Sequence, residues 1–296
     1  VAYNIAETNP KKYGFTPIKT ESNLSLYQNK NSTSLAFLTN KVYKDVKFNN
    51  LTLDNQTKFL NQLSGLNYKY FQKIYPINSH NIIENNDHIT VNVDKENNSS
   101  FASMTYTLDV PENSQVYVSL PNIHFSNDDQ TVVDISIGNE TRRFTTNNVF
   151  TFFNLGHFMD KQTVTVRFTF PDNSQVSFDK PEFYKVNINH FQEAIDKIYS
   201  QKVEVTTKNS QITVDYQAQK DSSLFLTLPY DKGWSATQNG HPVTIYKAQD
   251  GFMKVDVKKG TGRVILKFIP KGFKEGIGCF ILGITLFTLY NYKKRL

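Results

Sequence analysis

The flat face of an indole or phenol ring is one of the simplest devices for binding sugar, because it accepts the C–H-rich side of a pyranose. The sequence has a single tryptophan, Trp234, which closes the hexapeptide "PYDKGW" begun by Pro229 and Tyr230. Tyr230 and Trp234 are the candidate carbohydrate-binding residues. A lone Trp serves equally well as a core residue with its N–H bonded to backbone, and burial separates the two readings. Other chemistries find little support. The six histidines, His80, His88, His124, His157, His190 and His241, show no H-x-x-x-H spacing and no accompanying carboxylate pattern, so no metal is expected. "SNDDQ" sets Asp128 beside Asp129 in a turn-prone loop, but lacks the D-x-D-x-D-G spacing of a dedicated calcium site and reads as a solvated turn. No G-x-S-x-G elbow and no Gly-rich phosphate loop occurs. A stand-alone hydrolase would need two carboxylates converging on a cleft, which spacing alone does not reveal. No catalytic residue is assigned, and no cofactor is expected.

Composition narrows the partners. Charged residues make up 20% of the 296 residues and the formal net charge is +6, spread along the chain except for Lys293, Lys294 and Arg295. Nucleic acid is excluded as a partner, since a basic stripe with interleaved aromatics is missing. The one cysteine, Cys279, lies inside an apolar run, so neither an intrachain disulfide nor a thiolate metal site can form.

The elements that carry these residues are mostly strands. "FASMTYTLDV", "SQVYVSLPNIHF", "VVDISIGN", "QTVTVRFTF" and "SQVSFDKPEFYKV" alternate apolar and polar residues and are broken by Pro, Asn, Asp and Gly. A second set follows: "KVEVTTKNSQITVDYQA", "SSLFLTLPY", "PVTIYKA", "FMKVDVKKG" and "GRVILKFIP". "TTKNS" predicts a hairpin between Lys202–Val205 and Gln211–Tyr216, and Asn239-Gly240 predicts a type I′ turn. "TLDNQTKFLNQLSG" predicts a short helix with Asp54 as N-cap, Phe59, Leu60 and Leu63 on its apolar face, and Gly65 as its stop. A helix is also predicted from Ile188 to Gln201, with Phe191, Ile195 and Ile198 on one face. The expected fold is mainly β: two antiparallel β-sandwich or jelly-roll-like domains in series, short helices between them, and one C-terminal transmembrane helix. The expected divisions are a lead-in with short strands and a helix (1–78), a first sandwich (79–187), a second β-domain (188–272), a transmembrane helix (273–292) and a cytoplasmic tail (293–296).

The last of these rests on "GIGCFILGITLFTLYNY", Gly276 to Tyr292, which carries no formal charge. At 1.5 Å per residue it reaches about 25 Å, so Lys274 and Lys293 would snorkel toward the headgroups. Tyr290 and Tyr292 fall where an interfacial aromatic belt belongs, and the basic cluster after them predicts a cytoplasmic C-terminus with residues 1–275 outside the cell. Gly276 and Gly283 would share a helix face open to close approach by a neighbouring helix. "VAYNIAETNPKKYGF" at the start lacks the pattern of a signal peptide, and the expectation is that whatever leads the chain to a membrane lies upstream of Val1.

Leu228 to Pro270 carries the pattern P-Y-D-K-G-W, then N-G-x-x-V, G-F, and V-x-x-G-x-G-x-V-x-L-x-F-x-P before the apolar run. It resembles the C-terminal part of the bacterial YfhO family. "LYQNKNSTSLAFLTN" and "FLNQLSGLNYKYF" look like the segment that leaves the last helix of that family's membrane domain. The resemblance implies a polytopic protein similar to GT-C-fold glycosyltransferases, with a polyprenyl-phosphate-linked sugar donor and a part in glycosylating teichoic acids of Gram-positive envelopes. It further implies that this chain is the extracytoplasmic module, that its partners are the membrane, its own N-terminal polytopic domain and an anionic cell-wall glycopolymer, and that catalysis belongs to the polytopic domain. The alternative is a membrane-anchored surface carbohydrate-binding or adhesion protein. A sortase-type anchor also ends in an apolar run and basic tip, but the chain has "FIPKGFKEG" in place of an L-P-x-T-G motif.

Overall fold

Strands whose side chains alternate apolar and polar must bury one face, and two such faces laid together form a sandwich. A computed structural model describes residues 2–7, 9–32, 34–49, 51–126, 130–147, 151–208 and 210–295. The chain is mainly β, with antiparallel sheets and three helices among the described residues. It divides into two compact units that are not continuous in sequence: residues 1–32 with 68–193, and residues 33–67 with 194–296. The last of the three boundaries, between Glu193 and Ala194, falls within the helix Ile188–Tyr199.

In the first unit a five-stranded sheet runs in the order Glu140–Asn147, Gln130–Ile137, Gln162–Phe170, Ala102–Val110, Pro76–His80. One four-stranded sheet is ordered Phe152–Phe158, Ser114–Ser119, Glu182–Asn187, Phe71–Ile74, and another His124–Phe125, Gln175–Asp179, His88–Asn92, Ile83–Asn85. Their inward residues share one core that includes Met104, Tyr106, Leu108, Val118, Phe153, Phe168, Phe178 and Phe183. The alternation in "ASMTYTLDV" is the sequence cause, with Met104, Tyr106, Leu108 and Val110 all turned inward. A three-stranded sheet, Tyr3–Ala6, Leu24–Asn29 and Phe15–Glu21, belongs to the same unit.

The second unit sets a five-stranded sheet (Val203–Lys208, Gln211–Ala218, Gly260–Phe268, Trp234–Gln238, His241–Val243) against a four-stranded one (Tyr246–Ala248, Phe252–Val257, Ser222–Leu226, Ala36–Leu38). The hairpin predicted around "TTKNS" is present, with Lys208 opposite Gln211. The Asn239-Gly240 turn is present too, both residues at positive φ between Gln238 and His241. Every residue of Ser222–Leu226 is buried. Leu224 and Leu226 join the core between the sheets, whereas Phe225 meets Phe37, Tyr43, Leu63 and Ile198 on the opposite face. A strand covered on both sides reads as a continuous apolar run, as "LFL" does.

The helix Thr52–Ser64 starts earlier than expected and corrects the role given to Asp54. Leu51 is its N-cap and makes no side-chain capping bond, while Gly65 ends it at φ 75°. Asp54 lies instead in the first turn, where its carboxylate meets the Lys58 ammonium at 2.6 Å and accepts a bond from Asn49 Nδ2 at 2.7 Å. A carboxylate there complements the helix dipole without capping.

Candidate functional site

Trp234 opens the strand Trp234–Gln238 beside the last strand of the unit, opposite Phe268. The two rings lie 5.0 Å apart between centroids, and Trp234 is partly buried against the core between the sheets. The turn before it is built by Asp231, whose Oδ1 accepts the Gly233 N–H at 2.6 Å and whose backbone O accepts the Trp234 N–H at 3.3 Å. Gly233 O in turn accepts the Ile269 N–H at 3.0 Å. A Cβ on Gly233 would stand 2.4 Å from Ile269 O, so the corner closes only on glycine. Gly262 has a related duty: a Cβ there would lie 2.3 Å from the Tyr216 hydroxyl. Tyr230 is 36% exposed, and its N–H is held by Gly251 O at 2.8 Å. No ring contact joins Tyr230 to Trp234 among the described residues. "PYDKGW" therefore forms a joint that fixes the last strand just before the chain leaves the sheet.

That exit is short. Phe268, Ile269 and Phe273 are exposed, and Pro270-Lys271-Gly272 turns directly into the helix Phe273–Arg295. The helix is long and apolar enough to cross a membrane, with mean hydropathy 1.4 over its most apolar window and none of that window buried. Its apolar side chains point in every direction, Phe280 and Phe287 each 68% exposed and Leu282 and Leu289 each 60%. A helix without a polar face has no stable place on a water-exposed surface. Its internal hydroxyls are satisfied by its own backbone: Thr285 Oγ1 donates to Ile281 O at 2.9 Å and Thr288 Oγ1 to Ile284 O at 2.8 Å, as a hydrocarbon surrounding requires. Nothing lies within 4 Å of a Cβ placed on Gly276 or Gly283.

The first unit holds a cleft that spacing in the sequence did not reveal. It encloses about 680 Å³ and lies where Phe71–Ile74, Pro76–His80 and Ile83–Asn85, each the edge strand of a different sheet, come together. Tyr75, the single residue between the first two strands, is 76% exposed at the cleft. Ile77 is the extra residue of a β-bulge, since Pro76 opposes Leu108 and Asn78 opposes Thr107. Tyr106 lines the cleft from the core side, is 3% exposed, and has a hydroxyl that is closed off from solvent and has no hydrogen-bond partner among the described residues. Burial, reinforced by Glu84, pushes its phenol well above the usual range, so it stays protonated. Lys180 meets Glu84 at 2.9 Å and is held above its ordinary value by that bond. Burial works to raise Glu182, but bonds from Lys73 and Tyr184 overcome it and leave the carboxyl below its ordinary value. No cluster of three or more His, Cys, Asp or Glu positioned to hold a metal occurs among the described residues. Asp128 and Asp129 lie outside the described residues.

Residues 1–280 match the family model "Bacterial membrane protein YfhO". The chain belongs to the YfhO family. "Uncharacterized protein YfhO" of Bacillus subtilis (strain 168) is 25% identical to it over 142 residues, covering 45% of this chain but only 16% of that relative. The chain thus spans about a sixth of the length of the curated YfhO relative it matches. Among solved structures, the tandem CBM22 domain of Paenibacillus barcinonensis Xyn10C is 8% identical at a TM-score of 0.24, over 70% of this chain and 88% of that one. Arabinofuranosyltransferase AftD from Mycobacteria is 9% identical at a TM-score of 0.21, over 67% of this chain and 25% of that one. At such TM-scores neither likeness bears on function. Family membership and the apolar helix make this a membrane protein.

Proposed function

We propose that this chain is the extracytoplasmic module of a YfhO-family membrane protein, and that it positions an envelope glycopolymer such as lipoteichoic acid as acceptor. A polytopic domain N-terminal to it would then transfer sugar from a polyprenyl-phosphate donor. The observation that carries the reading is the direct run from the second β-unit into a helix with no polar face, in a chain matched to a membrane-protein family. Lys293, Lys294 and Arg295 after that helix favour a cytoplasmic C-terminus. Tyr230 and Trp234 supply aromatic faces near the membrane, and residues 1–275 keep a small excess of cations, 30 Lys and Arg against 27 Asp and Glu once Lys293, Lys294 and Arg295 are set aside, which favours a polyanionic acceptor. Many surface cations are already paired, among them Arg263 with Asp215 and Lys258 with Asp221, both at 2.7 Å. Affinity for a polyanion is therefore modest and falls as salt shortens the screening length to about 10 Å at 0.1 M.

Topology is tested by labelling. In cells carrying a Cys279→Ser background, Lys232→Cys should react with a membrane-impermeant maleimide, and Lys294→Cys only after permeabilisation. The reverse pattern overturns the orientation. Purified residues 1–296 should transfer no sugar from a polyprenyl-phosphate donor, and transfer would overturn the division of labour.

A further inference from the structure

The cleft of the first unit combines features that the proposed acceptor contact does not use. Its wall is firm on the core side, where Tyr106 is 3% exposed and its hydroxyl is closed off from solvent. At its rim Tyr75 and Ile77 stand 76% and 60% exposed, fixed by the one-residue passage between sheets and by the bulge. Around them stand polar groups of several kinds: Asn78, Ser79, Glu84, Asp87 and Lys180. An aromatic ledge with mixed donors and acceptors in about 680 Å³ suits a small polar ligand with one apolar face.

Charge selects among such ligands. The lining has three carboxylates, Glu84, Asp87 and Glu182, against two lysines, Lys73 and Lys180, and both lysines are engaged by Glu182 and Glu84. Such a surface repels phosphate. It suits neutral hydroxyls, which carboxylates bind as acceptors and ammonium groups as donors. A polypeptide strand is a poorer occupant. Pro76 has no N–H to offer, and the bulge at Ile77 interrupts the edge to which an added strand would pair.

We infer that this cleft binds an uncharged pyranose unit, stacked on Tyr75 and hydrogen-bonded to the Glu84, Asp87 and Lys180 head groups. It rests on the function proposed above only in taking the source of the sugar to be an envelope glycan. The site reads sugar substituents rather than the phosphate backbone of such a polymer.

The test uses residues 1–296 in lipid nanodiscs prepared without glycoside detergents, which would compete. Calorimetric titration is run with short uncharged oligosaccharides of glucose, galactose and N-acetylglucosamine, and with poly(glycerol phosphate) as the anionic probe. At least one neutral sugar should bind. Tyr75→Ala should weaken it about tenfold through lost stacking. Asp87→Asn should weaken it by about two- to tenfold through one weakened hydrogen bond. Without sugar, Asp87→Asn should unfold at the same temperature as the parent, because that side chain is exposed; a purely structural role predicts a lower one. Failure of every neutral sugar to bind, or binding that both substitutions leave unchanged, overturns the inference. Poly(glycerol phosphate) bound equally by parent and both variants, with no neutral sugar bound, would overturn it while leaving the acceptor reading intact.

Discussion

In the second unit the strand Ser222–Leu226 is buried on both faces, and glycines at 233 and 262 stand where even a methyl group would collide with a neighbour. In the first unit three sheet edges converge without closing, and the chain crosses between two of them on one exposed residue, Tyr75. The signature that resembles the YfhO family, Leu228 to Pro270, lies wholly in the tightly closed unit. Strong motifs arise where geometry admits few residues. A cleft formed where three sheet edges meet is specified by no short local pattern, so it leaves no comparable motif in the sequence.

The contrast can be broken by substitution, most severely in the closed unit. Phe225 is 1% exposed and has ring contacts to Phe37, Tyr43, Phe59 and Phe252. Phe225→Ala should cost about 3–5 kcal/mol, measured by urea unfolding, because rings on three elements cannot all collapse into the hole. Gly233→Ala should cost about 1–3 kcal/mol in the same measurement, since backbone rather than a flexible side chain opposes the new methyl. A loss within error would mean that the corner opens freely and that the closed description is wrong.

Acid should probe the first unit. Asp94 is 2% exposed, and burial works to raise its carboxyl. Bonds from the Asn97 side chain and backbone, and from His80, overcome burial and leave it below the ordinary value of 3.8. A depressed folded value means that its contribution is present above pH 3.8 and is lost as pH falls through the folded value. Asp94→Asn should therefore flatten the acid limb of stability below about pH 4. An unchanged acid limb would rule Asp94 out as its source. The smallest effect is expected at Tyr75: Tyr75→Ala should shift stability by less than about 0.5 kcal/mol, since the ring faces solvent. A larger loss would show that the cleft wall is packed core.

The strands of both units, the "TTKNS" hairpin and the Asn-Gly turn were legible because period-two alternation and positive-φ chemistry are local. Assignment of pieces to units was not. "SLYQNKNSTSLAFLTN" reads as strand segments around a turn, yet Leu24–Asn29 joins the N-terminal sheet and Ala36–Leu38 pairs with Ser222–Leu226. Nothing in the alternation of so short a segment names a partner far away in sequence. Asp54 was misplaced because a carboxylate in the first helical turn and one at the N-cap look alike in sequence. The apolar helix was plain from composition. The buried Tyr106 hydroxyl was invisible, because "MTYTL" is an ordinary alternating strand and only the folded packing shows that its tip meets no partner among the described residues.

The last strand, Gly260–Phe268, is the middle one of its five-stranded sheet, bonded on one side to Gln211–Ala218 and on the other to Trp234–Gln238. It is also the strand that continues, through Pro270 to Gly272, into the apolar helix. A pull along the chain would load both ladders in shear, all rungs sharing the tension, instead of peeling an edge rung by rung. A leash of a few residues, at about 3.5 Å each, leaves almost no slack between sheet and helix. The second unit thus meets tension from the helix with a strand paired on both sides, and the joint at Gly233 and Trp234 is the clamp at that strand's loaded end.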